Sequence, residues 1–321
     1  FLKIFLWFCD RLVKYYKMHR SLEMTFMVSK DKILTYARAI FVTVIWSITF
    51  ISTKVLLQYL SPTEVLFYRY IIAYLVFIAV SPKPVIPHSL RGEIPFFLCG
   101  LLGVTLYFLF ENCALLYSTA SNVSLLVSSA PMLTGVVAHF LTKNEKMDRK
   151  FAVACIFGLS GVFLIVFNGH FVLHLNPLGD MLAVLAALSF AFYSIIIKTA
   201  SKADYSAIQI TRKTFFYSLL TLVPLLFTDA FAWKPEVLVK PEVIGHLVFL
   251  GVLASSVCFL LWNKVIWSLG AVKANNLIYL TPPMTMVFAS ILLHEKITLF
   301  AVAGGTLILT GVCISQRDKK K

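Results

Sequence analysis

Polar residues are spaced along this chain so that apolar runs of about 20 residues succeed one another, the length at which an α-helix crosses a bilayer. From residue 37 the pattern predicts spans at 37–58, 63–81, 94–116, 121–142, 150–168, 177–200, 207–228, 243–264, 271–293 and 297–316. The breaks carry turn chemistry, as at Ser61-Pro62, Ser81-Pro82-Lys83-Pro84, Ser118 to Asn122, Asn168-Gly169 and Asn176-Pro177. Ten helices are predicted.

The pattern also occurs twice. Asn112 to Glu145 matches Asn263 to Glu295, with Asn112 on Asn263, Ala120 on Ala271, Leu126 on Leu277 and Pro131 on Pro282. One residue shorter, Glu145-Lys146 falls on Glu295-Lys296 and Gly161-Val162 on Gly311-Val312. The first two helices of each half align at an offset of 144, which pairs Trp46 with Phe190, Lys54 with Lys198 and Arg69 with Lys213. The predicted organisation is a basic segment 1–36, a first repeat 37–168, a second repeat 177–316 and a basic tail 317–321. Residues 1–36 read either as an interfacial basic helix or as an extension upstream of Met18, Met24 or Met27. The extension is the preferred reading.

Composition agrees with lipid as the solvent: 59% of residues are hydrophobic and 14% charged, against roughly 45–50% and 25% in soluble domains. The net charge of +14 does not point to nucleic acid, because no basic stripe is interleaved with aromatics. Counting loop Lys and Arg with the N terminus inside gives 22 residues on the inner side and 4 on the outer, so both termini are expected in the cytoplasm. Five helices per repeat is an odd number, so the second half must enter from the opposite face. Inverted repeats of this kind mark secondary transporters, with a substrate site near the midplane. The fold expected is an all-α integral membrane protein of ten transmembrane helices in two inverted five-helix repeats.

With its doubled order of small-residue turn, Pro131 or Pro282, Glu and Gly-Val, the chain resembles the EamA-type transporters of the drug/metabolite transporter superfamily over about residues 37–316. The resemblance implies a 5+5 inverted-repeat fold that exports or exchanges metabolites such as amino acids. One departure is Cys155, where the second half has Gly305, which implies a different helix contact in the two halves. The small multidrug members of the superfamily need a Glu in the first helix. This chain has AIFVTVIWSITFIS there, which speaks against proton-coupled export of lipophilic cations.

Chemistry-bearing residues inside the spans are few. Arg69 either faces a cavity, as intramembrane charges do by default, or snorkels about 9 Å to the headgroups. Lys213, beside Arg212, sits at the matching depth from the other face, so the two read as cationic entries to one pathway or as interfacial anchors. Glu111 is placed at the outer end of the third helix, at a depth where Lys54 and Arg69 could reach it to form an outer-gate ion pair; a solvated helix-end carboxylate is the alternative. Its repeat mate is Trp262, so no such pair is expected at the inner end. No carboxylate falls near the middle of a predicted span, which disfavours proton coupling.

Pro131 and Pro282 interrupt backbone bonding at matching places, as packing kinks or as hinges beside a pathway that Ser128 and Thr281 would line. Most of the 28 Phe are expected to face lipid. Trp46, Tyr68, Tyr107, Tyr193 and Tyr279 are better pathway candidates, since each has a polar tip inside a span. The six cysteines lack a CxxC and read as packing residues. His139, His246 and His294 are not clustered, so no metal site, cofactor or catalytic residue is expected.

The function expected is a secondary transporter of a small amphipathic metabolite, amino-acid-like by preference, working by alternating access as a monomer or homodimer in the cytoplasmic membrane. An organic-phosphate or nucleotide-linked exchanger of the same fold remains a rival, and a non-transporting receptor or membrane enzyme a more distant one.

Overall fold

A computed structural model describes residues 31–87, 89–118, 123, 126–142, 149–167, 176–200, 205–228, 231, 232, 235–284, 287, 288 and 299–316. The basic segment up to residue 30, the Glu-Lys pairs of both repeats, His294 and the tail 317–321 lie outside the described residues. Residues 39–321 form one compact unit, with residues 1–38 a separate one. The helices are α1 Asp31–Leu56, α2 Pro62–Val80, α3 Leu90–Tyr117, α4 Ala130–Leu141, α5 Arg149–Phe167 and α6 Pro177–Ala200. They continue with α7 Ala207–Phe227, α8 Pro241–Leu269, α9 Ala271–Asn276, which runs on as a 3₁₀ turn Leu277–Leu280, and α10 Leu299–Gln316. A short helix Pro235–Leu238 precedes α8.

Six of these, α1, α2, α3, α6, α7 and α8, are long and apolar enough to cross a membrane. Their outer surfaces carry large apolar side chains such as Leu75, Ile94, Phe216 and Ile244, which only lipid can cover over so wide an area. Starts are chemically specified. Ser61 accepts from the Glu64 amide while Glu64 Oε2 accepts from the Ser61 amide at 2.7 Å, a reciprocal cap with Pro62 behind it. Ser206 and Gln209 repeat the device at α7. Between α8 and α9 the chain turns on Gly270 at φ 88°, a left-handed conformation that other residues adopt only at a cost.

These caps also set the register of the repeat. Ser61 corresponds to Ser206, an offset of 145, and buried positions follow it: Val65 with Ile210, Leu66 with Thr211, Tyr70 with Phe215, Ala73 with Ser218 and Phe77 with Leu222. In α1 and α6 the offset of 144 holds, with Ala39 matching Ala183, Val42 matching Ala186 and Ser47 matching Ala191 in burial. The link between the first two helices is therefore one residue longer in the second half. Arg69 corresponds to Thr214, and Lys213 to Tyr68, correcting the pairing of the two cations.

Contacts between the halves are reciprocal. A Cβ on Gly100 of α3 would lie 2.7 Å from the Thr214 carbonyl of α7, and one on Gly251 of α8 would lie 3.0 Å from the Arg69 carbonyl of α2. Likewise a Cβ on Gly161 of α5 would lie 2.5 Å from the Gly304 carbonyl, and one on Gly311 of α10 would lie 2.9 Å from the Ala154 carbonyl. Each of these close approaches is returned by its counterpart in the other half, as a two-fold axis requires. Two five-helix repeats related in this way are inverted, and ten helices span the membrane. At Gly305, the repeat counterpart of Cys155, an added Cβ would meet nothing within 4 Å.

Both third helices share a feature that sequence reading did not foresee. Cys99–Leu106 of α3 and Phe249–Val257 of α8 are wound as π-helix. Such segments recur at functional sites, and their partly unpaired carbonyls accept from outside: Tyr70 Oη donates to Val104 O at 2.8 Å and Trp46 Nε1 to Ala254 O at 3.3 Å.

Buried polar side chains knit the helices where no water is present. The doubled asparagines do equivalent work, Asn112 donating to Pro62 O at 3.5 Å and Asn263 to Thr211 Oγ1 at 3.0 Å, each from the third helix of its half to the second. Asn275 of α9 donates to Thr134 of α4 at 2.7 Å and to Ser194 of α6 at 2.8 Å. Asn275→Ala is expected to lower stability by about 1–2 kcal/mol, read from thermal unfolding in mild detergent.

Candidate functional site

A cavity opens between the halves, lined by α1, α2, α3, α6, α8 and the two stretches that flank Pro131 and Pro282. Its wall contains Trp46, Thr49, Phe50, Arg69, Tyr107, Phe108, Glu111, Val127, Ser128, Ala130, Phe190, Phe259, Ile278 and Thr281. At about 50 Å³ it has room for a few waters, well short of the roughly 300 Å³ or more of sites that hold larger ligands.

Arg69 is the cation of this wall. It is 1% exposed, so it does not snorkel. Its Nε donates to Ser255 Oγ of α8 at 2.9 Å, and its guanidinium carbon lies 4.1 Å from the centroid of the Phe108 ring. Neither terminal nitrogen makes a hydrogen bond to a described residue. A fixed, planar guanidinium with its forked end free is the geometry that takes a carboxylate through two parallel bonds.

Glu111 is placed differently from the expectation. It lies six residues before Tyr117, where α3 ends, about 9 Å inside the helix terminus. It is 4% exposed, and its Oε2 is buried without a hydrogen-bond partner among the described residues. A carboxylate therefore stands within the span and in the wall that holds Arg69. The two do not form an ion pair. Lys54, the other expected partner, is exposed and makes no ion pair with it either.

The ion pair at a helix end occurs instead where none was expected, between Lys213 of α7 and Glu93 in the first turn of α3. Tyr217 Oη donates to the other Glu93 oxygen at 2.9 Å, and the Lys213 ammonium lies 4.0 Å from the Tyr205 ring centroid and 4.7 Å from that of Phe96. Beside it, Arg212 holds the chain after α2 through the carbonyls of Ser81 at 2.6 Å and Lys83 at 2.9 Å. Lys213 thus faces a separate cavity with Tyr74, Pro84 and Glu93, at the opposite end of α2 from Lys54.

Among the aromatic candidates, Trp46 and Tyr107 line the central cavity. Trp46 packs edge-on against Phe190 and Phe259 at 6.1 and 5.8 Å, and Tyr107 lies 5.2 Å from Phe190. Tyr193 is buried behind that wall and donates to Asn263. Tyr279 packs on Gly158 of α5, and Tyr68 lies with Phe67 and Phe231 towards the start of α2. Ser128 and Thr281 both face the cavity. The prolines do more than kink: Ser128 and Ser129 form a turn and α4 starts at Ala130, while a 3₁₀ turn ends at Leu280 just before Pro282. Both stretches depart from regular α-helix beside the cavity, by a turn at Ser128-Ser129 in one half and a tightened 3₁₀ winding at Leu277–Leu280 in the other.

Phe108, Phe190 and Phe259 were missed as wall residues, because a Phe without a polar tip reads as lipid-facing. Phe77, Phe96, Phe151 and Phe215 are buried as well. The repeat carried the available signal: Phe190 is the counterpart of Trp46, and Phe108 of Phe259. Ser255 and Glu93 had no signal of comparable kind. Among the described residues, no group of three or more His, Cys, Asp or Glu is placed to hold a metal ion.

Comparison with known proteins accords with this geometry. An uncharacterised transporter of Archaeoglobus fulgidus is 29% identical over 84% of this chain and 93% of its own length. An uncharacterised transporter of Bacillus subtilis is 28% identical over 87% and 90%. A probable terminal-alkyne amino-acid exporter of Streptantibioticus cattleyicolor is 26% identical over 68% and 72%. One solved structure, 16% identical, superposes with a TM-score of 0.70 over 90% of this chain and 96% of its own, a likeness of fold. The model of the EamA-like transporter family matches residues 34–167 and 177–316. The chain belongs to the EamA-like transporter family.

Proposed function

We propose that this membrane transporter carries a small amphipathic metabolite with a carboxylate, amino-acid-like by preference, by alternating access between its two repeats. The observation that carries the reading is Arg69, buried in the wall of the central cavity with its guanidinium fork unbonded. The aromatic wall of Trp46, Tyr107, Phe108, Phe190 and Phe259 suits an apolar body behind the carboxylate. Similarity to a probable amino-acid exporter points the same way. Glu111 in that wall disfavours an organic phosphate, whose two negative charges would lie against a carboxylate.

In its contracted form the cavity requires the halves to part before a metabolite enters. Lys213 with Glu93 is the contact proposed to break when the end of α2 opens, and Pro131 and Pro282 are the proposed hinges. Facilitated movement or exchange across the cytoplasmic membrane, with both termini inside, completes the reading.

The test is counterflow of labelled amino acids into proteoliposomes. Arg69→Ala is expected to lower exchange at least about 30-fold, the effect of removing one member of a buried charge pair. Arg69→Lys should keep the fold and recover part of the rate. Transport at the parental rate by both variants would exclude the carboxylate site.

A further inference from the structure

We infer that Glu111 is the second pole of the substrate site and selects zwitterions by binding the ammonium group opposite Arg69; this rests on the carboxylate reading above. Three observations support it. Glu111 and Arg69 line one cavity from different helices, α3 and α2. They stand there without pairing with each other, although Lys213 and Glu93 show that this fold closes an ion pair where geometry allows. Glu111 Oε2 is buried without a hydrogen-bond partner among the described residues, a cost that buried polar groups seldom bear unless a ligand or water meets them.

Glu111, which has Tyr107 beside its carboxyl and one oxygen left unmet, and Arg69, held by Ser255 through Nε alone, face one space without an ion pair between them and are complementary to a molecule carrying both charges a few bonds apart. Each charge alone leaves the other wall group desolvated and unmet, which is how a polar site rejects analogues lacking one group. A desamino acid would satisfy Arg69 and leave Glu111 bare. An amine without a carboxylate would do the reverse. The remaining wall, Trp46, Phe50, Tyr107, Phe108, Phe190 and Phe259, is apolar or aromatic and favours a neutral side chain. Ser128 and Thr281 supply the nearby hydroxyls.

The test uses the purified full chain in detergent, with binding of the neutral amino acids, their desamino carboxylic acids and the corresponding amines measured by isothermal calorimetry. At least one neutral amino acid is expected to bind about tenfold or more tighter than its desamino acid and its amine, as a charge-assisted hydrogen bond gives. In Glu111→Gln, which keeps shape and burial, the preference over the desamino acid should shrink below about threefold. Arg69→Lys should keep the preference for an ammonium while weakening every carboxylate. If desamino acids bind as well as amino acids, or if Glu111→Gln weakens both equally, the zwitterion site is wrong although the carboxylate reading stands. If no amino acid binds more tightly than its desamino acid and amine, the zwitterion site fails too. If Arg69 variants bind carboxylates at parental affinity, the carboxylate reading itself fails.

Discussion

Lys213→Ala is expected to destabilise the protein by about 3–5 kcal/mol, because it leaves Glu93 buried, charged and without its cation. Glu93 is 7% exposed and Lys213 5%, so water in the cavity they line compensates only in part. The double variant Lys213→Met with Glu93→Leu removes both charges and should recover most of that loss, since a buried pair adds little beyond a well-packed apolar replacement. Thermal unfolding in mild detergent reads both. If the double variant is as unstable as the single one, the Lys213 contacts to Phe96 and Tyr205 carry the stability, and the ion pair does not. Because the pair joins α3 to α7, the double variant should also open that end more often, seen as faster labelling of a cysteine introduced at Arg212.

The second large effect is expected at Gly161. A side chain there meets the Gly304 carbonyl at 2.5 Å and Ile308 at 2.7 Å, and the backbone oxygen cannot step aside. Gly161→Leu should cost about 1–3 kcal/mol or more through forced separation of α5 from α10. Gly311→Leu should behave alike, as its counterpart. Gly305→Leu is the milder control, since an added Cβ there meets nothing within 4 Å, and it should cost clearly less than Gly161→Leu. Equal losses at Gly305 and Gly161 would overturn the assignment of the contact face.

Much of this arrangement could be read from the chain because lipid simplifies the physics. A span must be apolar over about 20 residues, and a charge such as Arg69 inside one needs a reason. The repeat then brought Trp46 and Phe190 together as counterparts. Other parts left no such trace. Glu111 stands next to Asn112 five residues from the end of the predicted span 94–116, where two polar residues look like a solvated helix terminus; only its burial in the cavity wall puts the carboxylate inside. The one-residue difference in link length was hidden because the neighbouring cations at 212 and 213 made the wrong offset look meaningful. Phenylalanine is equally at home against lipid and against a cavity, so Phe108 and Phe259 were indistinguishable from those outside.

The π-wound stretches of α3 and α8 have a consequence for angular phase. Each residue advances an α-helix by about 100°, so a wider turn resets the direction in which every later side chain points. Beyond Leu106, the resetting aims Phe108 and Glu111 at the cavity and Asn112 at α2; beyond Val257 it aims Phe259 at the cavity and Asn263 at α7. Deleting a single residue from either stretch would keep the length and hydrophobicity of the span almost unchanged. It would nonetheless turn one half of the wall away from the space it encloses.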